Sequence, residues 1–495
     1  MTPTPPLPPQ VDPATPLLSR RSRMVVGAIA AVVALSAVDL VVVASRFGAS
    51  AQTTASGSTA EAAPRVAVLS ARRAPELITD LNSRAELQTK VDQLLAPAHV
   101  GAEGSAASCL LVRERGRTIV VHNSDLDVLP ASTMKVLTAT AVLAIVKPTD
   151  TFTTTVRAAA PVIAGVVQGD LWLVGGGDPI LATKAYLATF RRQPQIATSF
   201  EQLADNVAAA GVTHVVGAVV ADERLYDVQR GVPTWKDSYQ SSGEVGQLSA
   251  MAVNDGFFQA DGKGIWRIST QPALAAGDLL ATLLRERGIL VDGATRVAAV
   301  TDPVATVVAP VDVARVQSPP MVQVLNEMLS ESDNTTAELM VKHLGLAVGG
   351  EGSTAAGVVA MRAALSKAGL PIDRLVFSDG SGLDRSDRVT CALLATAVEL
   401  APPELINGLP VGGESGTLAR RMRADNLRGR IKAKTGTLNG VSALAGVAEA
   451  NGTQLQFALV LNKLGPTTPG RAVGDELAAL LVAYPNGPNA KDLAP

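Results

Sequence analysis

Aromatic side chains are scarce in this 495-residue chain, with 3 Trp, 4 Tyr and 8 Phe amounting to 3% of it. So few rings argue against the stacking platforms on which nucleic-acid bases are held. Apolar residues still reach 47%, so the core must be built from Ala, Val and Leu. Cysteine is rarer still. Cys109 and Cys391 are too few for a disulfide framework or a Cys-rich zinc site; both fall in apolar stretches that read as core, Cys109 in a strand and Cys391 in a helix-like run, with a single disulfide between them the alternative. The four histidines (His99, His122, His214, His343) show no HExxH-type spacing, which speaks against a metallohydrolase. An excess of one charge is missing too. With 43 Lys+Arg against 45 Asp+Glu, the net charge of −2 offers no general attraction to nucleic acid or anionic lipid. The length allows about three domains, or two with a large insertion.

Apolar residues are concentrated near the N-terminus. Residues 1–19 are Pro-rich and without helical period, an extended tail. Arg20, Arg21 and Arg23 then precede Met24–Ser45, an almost wholly apolar run. As a helix that run would span about 33 Å, enough for a hydrocarbon core of about 30 Å. Asp39 within it would cost about 2.5–3.5 kcal/mol at mid-span, which the many Leu and Val residues offset. Segment 20–46 is therefore expected to be a membrane anchor, with the tail cytoplasmic and the body exported, because the arginines precede the span. A signal peptide cleaved near Ala49-Ser50-Ala51 is the alternative, giving a secreted body. Residues 47–65 are mostly small and polar, a flexible linker.

Three short motifs are spaced along the body. Pro130-Ala131-Ser132-Thr133-Met134-Lys135 opens an apolar run of helical length, placing Ser132 and Lys135 on one face of the first turn. A serine hydroxyl needs a neighbour to take its proton, and a lysine buried at a helix N-terminus is pushed toward its neutral form. Next, Ser332-Asp333-Asn334 falls in a polar break between helices expected over Met321–Leu329 and Thr336–Leu344, where it could face a cleft or simply cap a helix. Last, Lys434-Thr435-Gly436-Thr437 lies on a strand, followed by strands over Val441–Ala448 and Gln454–Leu461 with a turn at Asn451-Gly452. Lys434 offers a charge for an anionic group, and Gly436 permits close approach of a ligand. Each motif alone is weak; the order SxxK, SxN, KTG is the motif set of penicillin-binding proteins and serine β-lactamases.

On these motifs the chain resembles the class C low-molecular-mass penicillin-binding proteins, the DacB-type D-alanyl-D-alanine carboxypeptidases/endopeptidases. Leu171–Pro179, Met251–Asp255, Ser318–Pro320, Ser378–Leu383 and Glu414–Leu418 are similar to that family as well. Ser332 follows Ser132 by 200 residues and Lys434 follows Ser332 by 102, and the long first gap resembles the family's insertion there. The resemblance implies an α/β fold: a serine β-lactamase/DD-peptidase-like domain over 66–150 and 311–495, its antiparallel sheet flanked by helices. Residues 151–310 would form one or two inserted domains. It also implies roles. Ser132 would be the acylated nucleophile, Lys135 the general base, Ser332 a proton relay, and Asn334 an orienter of Lys135 and of the substrate amide. Lys434, Thr435, Gly436 and Thr437 would bind the substrate's terminal carboxylate end. The implied substrate is a peptidoglycan stem peptide ending in D-Ala-D-Ala, with β-lactams as covalent inhibitors, no cofactor and no metal. A serine β-lactamase or a weakly catalytic wall-binding scaffold are the competing functions. The β-lactamase would need a deacylation base, for which Glu404 is the nearest candidate.

Other conspicuous residues are given plain readings. Gly175-Gly176-Gly177 lacks a following GK[ST] and is a turn. Asp379 and Asp384 sit in a Gly-rich turn that could form part of the cleft wall, and Arg420, Arg421 and Arg423 read as a solvated helix face.

Overall fold

In the computed structural model, residues 74–159, 161–190, 195–259, 264–302 and 311–485 are described; the tail, anchor and linker expected over 1–65 lie outside them. Helix α1 (Ala74–Leu94) buries Leu87, Val91 and Leu94, which its 3.6-residue turn brings to one face. Strands β1 (Ser108–Glu114) and β2 (Arg117–His122) form a hairpin whose turn residues Arg115 and Gly116 both have positive φ. That conformation matches the right-handed twist of the flanking strands. Helix α2 (Met134–Ile145) follows a short 3-10 turn over Ala131–Thr133.

A second sheet comes next. It consists of β3 (Thr153–Ala158), β4 (Leu171–Val174), β5 (Val219–Asp222), β6 (Arg296–Val297) and β7 (Val311–Gln317), in the order β6-β5-β4-β3-β7. Helices α3 (Phe200–Ala209) and α4 (Pro272–Glu286) pack their apolar stripes on it, burying Phe200, Leu203, Leu280 and Leu284 in a separate core. Strand β7 begins where the sequence reading resumes the catalytic domain at 311, yet it pairs with β3 (Val316 opposite Thr154). The second sheet therefore takes in residues up to Gln317.

The chain then returns through α5 (Met321–Glu327), α6 (Asn334–Gly349), α7 (Thr354–Lys367) and α8 (Cys391–Leu400). It continues into β8 (Ile431–Leu438), β9 (Val441–Ala450), β10 (Thr453–Leu461) and finally α9 (Gly470–Val482). The first sheet runs β8-β9-β10-β1-β2 and is antiparallel throughout. Its period-2 alternation sends Ala443, Ala445 and Val460 toward α2 and α5–α8, and Leu444, Leu459 and Leu461 toward α1 and α9. The fold is thus α/β, an antiparallel sheet between two helical layers. Among the described residues no single helix is long and apolar enough to cross a membrane.

Two sequence readings need correction here. Cys109 on β1 and Cys391 at the start of α8 are joined in a disulfide between positions 282 residues apart, with Cα atoms 5.8 Å apart. The sequence favours two separate core residues over the paired alternative because the pairing is made only when α8 packs across β1. Arg420, Arg421 and Arg423 lie in bends before β8 rather than on a helix, and Arg421 holds Asp475 of α9 at 2.8 Å.

Candidate active site

Three chain segments meet at the edge of the first sheet. Ser132 lies in the 3-10 turn ahead of α2, just after Ala131, whose φ of 48° is in the left-handed region. A non-glycine residue held there stores about 1–3 kcal/mol and persists only when its surroundings fix it. Two glycines let those surroundings close in. A Cβ on Gly436 of β8 would stand 2.8 Å from the carbonyl oxygen of Pro130, and one on Gly382 would stand 2.0 Å from that of Ala131. The close approach at Gly436 is thus to the Ser132 turn, where the sequence suggested a ligand.

Lys135 is fully buried, and its Nζ donates to Ser132 Oγ at 3.2 Å, to Asn334 Oδ1 at 2.6 Å and to the carbonyl of Ser381 at 2.9 Å. All three acceptors are neutral. Burial lowers the Lys135 amine to about 8, against the pull of Glu338, Asp333 and Asp379, which favour its charged form. Asn334 is oriented by its other end: Nδ2 donates to the carbonyl of Glu244 at 2.6 Å, which leaves Oδ1 facing the lysine.

Between α5 and α6 the chain makes a single π-helical turn over Met328–Ser332, and Ser332 has a φ of 64°. Asp333 then caps α6 by accepting from the Thr335 N–H at 2.8 Å. The break aims Ser332 at β8, where its Oγ accepts from Lys434 Nζ at 2.7 Å. Lys434 also donates to the Thr435 carbonyl at 2.9 Å and is fully buried; burial, and then the charge of Lys135, holds its amine well below the usual lysine range. Thr435 Oγ1 donates to Thr417 Oγ1 at 2.8 Å, and Thr437 is exposed at the end of the strand. All eight expected positions thus lie on the three segments; Ser132, Lys135 and Asn334 form one hydrogen-bonded group, and Ser332 and Lys434 another. Glu404, the alternative deacylation base, lies exposed on the short helix Pro403–Asn407.

The sequence reading missed the contributors that act through backbone or from the second sheet's side. Besides the Ser381 and Glu244 carbonyls, Trp235 Nε1 donates to Asp379 Oδ2 at 2.8 Å, Thr234 donates to Asp384, and Tyr239 OH donates to the Leu383 carbonyl at 3.2 Å. The Gly-rich turn 379–384 is thus a wall of the site. A signal was present in Asp379 and Asp384 flanking three small residues and Leu383, since a turn so rich in acceptors needs donors from elsewhere. Among the described residues no group of acids, histidines or cysteines could hold a metal ion.

The pattern of the D-Ala-D-Ala carboxypeptidase 3 (S13) family matches residues 87–263 and 258–483. A D-alanyl-D-alanine carboxypeptidase of an Actinomadura species is 29% identical over 486 residues, 81% of this chain and 85% of that protein. The carboxypeptidase DacB of Mycolicibacterium smegmatis is 32% identical over 367 residues, 71% of this chain and 75% of that protein. Penicillin binding protein 4 (dacB) of Haemophilus influenzae, a crystal structure, superposes with a TM-score of 0.64 at 18% identity, covering 79% of this chain and 99% of that one. At that identity the likeness is one of fold.

Proposed function

Because the chain belongs to the D-Ala-D-Ala carboxypeptidase 3 (S13) family, we propose that its serine-type carboxypeptidase activity runs through Ser132, with Lys135 as the proton acceptor. One observation carries the assignment. A fully buried lysine with only neutral hydrogen-bond partners stands 3.2 Å from a serine hydroxyl held beside a strained backbone residue.

In the forward step Ser132 Oγ–H gives its proton to neutral Lys135 Nζ while Oγ bonds to the carbonyl carbon of the penultimate D-Ala of a stem peptide. The carbonyl oxygen takes up the negative charge, facing the backbone N–H groups of Ser132 and Thr437. Loss of one such donor typically costs about 2.7–4 kcal/mol of transition-state stabilisation. As the C–N bond breaks, the proton reaches the departing nitrogen by way of Ser332, which Lys434 holds, and terminal D-Ala leaves as the free amine. Lys434, Thr435 and Thr437 hold its carboxylate. Water then adds to the ester carbonyl, giving a proton to Lys135, and Ser132 Oγ leaves with that proton.

The test is covalent. Fluorescent penicillin labels the full chain, Ser132→Ala is not labelled, and D-Ala is released from a pentapeptide ending in D-Ala-D-Ala. No labelling of the wild type defeats this reading, and rapid turnover of the penicillin would make the protein a β-lactamase.

We also propose that the body works outside the cytoplasm, tethered through Met24–Ser45. The apolar run and its preceding arginines support this, as does the Cys109–Cys391 disulfide, since such bonds persist in oxidising compartments. Fractionated cells making the full chain should carry it in the membrane pellet, open to protease added outside. Recovery in the soluble cytoplasm would overturn it.

A further inference from the structure

The third partner of Lys135 is a peptide carbonyl, which cannot turn on its own: its direction is fixed by the peptide units around Ser381. Two carboxyl side chains fix them: Asp379 takes the Gly382 N–H of the same peptide unit as that carbonyl, and Glu338 holds the two units before it. Glu338 sits on α6 one turn beyond Asn334, fully buried, and its Oε1 accepts from the N–H of Gly380 at 3.1 Å and of Ser381 at 2.8 Å. Its Oε2 is buried and makes no hydrogen bond. The turn has no slack. A Cβ on Gly380 would stand 2.4 Å from Val341 Cγ2, and Asp379 closes the turn on itself by accepting from the N–H groups of Gly382 and Asp384 at 2.8 and 2.7 Å. The steps proposed above give Glu338 no work. A carboxyl buried at such a place, bonded to two N–H groups and to no cation, is costly to keep.

We propose that Glu338 is a positioning residue for the proton acceptor: it hangs the Ser381 carbonyl on Lys135 Nζ and so sets where that amine stands against Ser132. The proposal rests on the reading of Lys135 as the group that deprotonates Ser132. The electrostatics agree with the geometry. Burial, and then neighbouring Asp379, pushes Glu338 up to about 8, in the same range as Lys135. The charged groups acting on Lys135 are Glu338 and Asp333 on the α6 side, Asp379 on the turn and Lys434 on β8. Below about pH 8 Glu338 is mostly protonated, so it acts on the turn through its oxygen more than through its charge.

Two variants separate position from charge. Glu338→Gln keeps an oxygen for both N–H groups and loses the charge; Glu338→Ala loses both. The rate of acylation by fluorescent penicillin is followed from pH 5 to 10 in the full chain, with thermal melting to show which variants are folded. The Gln variant is expected to keep a plateau within about threefold of wild type, since it keeps an oxygen for both N–H groups. The Ala variant is expected to fall at least about tenfold at the plateau, as misplacing a catalytic group does. A folded Ala variant acylated like wild type overturns the proposal. So does a folded Gln variant that loses the plateau although it keeps an oxygen for both N–H groups, and that result decides alone if the Ala variant does not fold. Wild type without labelling, or Ser132→Ala still labelled, would instead defeat the underlying reading of Ser132 and Lys135.

Discussion

Lys135 and Lys434 are both fully buried with no carboxylate hydrogen-bonded to either, and the chemistry follows from how they avoid being charged together. With the Lys135 amine lowered to about 8, its neutral fraction falls tenfold for each pH unit below that value. Acylation should therefore rise through an acid limb centred near pH 8 and level off above it. A flat profile from pH 5 to 9 in stopped-flow labelling would contradict the role given to Lys135. Lys135→Arg keeps the charge but has no neutral form to accept a proton, since a guanidinium stays protonated. It should lose at least about a hundredfold in acylation rate, the usual size of general-base catalysis. The residue types of this site were legible in the sequence because serine, lysine and asparagine at those spacings have few other joint uses. Ser381 and Glu244 were not, because they contribute carbonyl oxygens that any residue carries. Glu338 was hidden for another reason: a glutamate on a helix reads as surface unless its face is known.

At the scale of elements, β8 delivers Lys434 and also presses on the turn that carries Ser132. Gly436 makes that contact possible, with Ala443 Cβ across the sheet at 3.0 Å from where its own Cβ would be and the Pro130 oxygen at 2.8 Å. Gly436→Ala should push the strand off the turn and slow acylation at least about tenfold in protein that thermal melting shows to be folded, since small misplacements at a reacting centre cost rate steeply. Equal acylation in a folded variant would show the contact to be slack. The hairpin of β9 and β10 was readable with its Asn451-Gly452 turn, because Asn and Gly both accept the positive φ values of 41° and 87° found there. The helix boundary around Ser332 was not. Its π-helical turn and left-handed serine have no propensity signature, being imposed by the strand and helices packed around them.

Over the whole molecule, the Cys109–Cys391 bond ties the first sheet to α8 across 282 residues of chain. Closing so long a loop restricts the unfolded chain, and loss of a native disulfide typically costs about 2–5 kcal/mol. Replacing both cysteines by alanine should lower stability by about that amount in denaturant titration; an unchanged midpoint and slope would show that the bond adds nothing. The second sheet's chain reaches the site as well, through the Glu244 carbonyl on Asn334 and the Trp235 donor on Asp379. That contact could not be read from sequence, since it joins residues 90 and 144 positions apart. Strand β1 pairs with β10, Ser108 opposite Leu461, and β8 with Lys434 belongs to the same sheet. Synthesised from its N-terminus, the chain presents Ser132 some 300 residues before the strand that completes the site. Until β8 is made, Ser132 has neither Lys434 nor the strand that presses on its turn, so the site stays incomplete through most of the chain's synthesis.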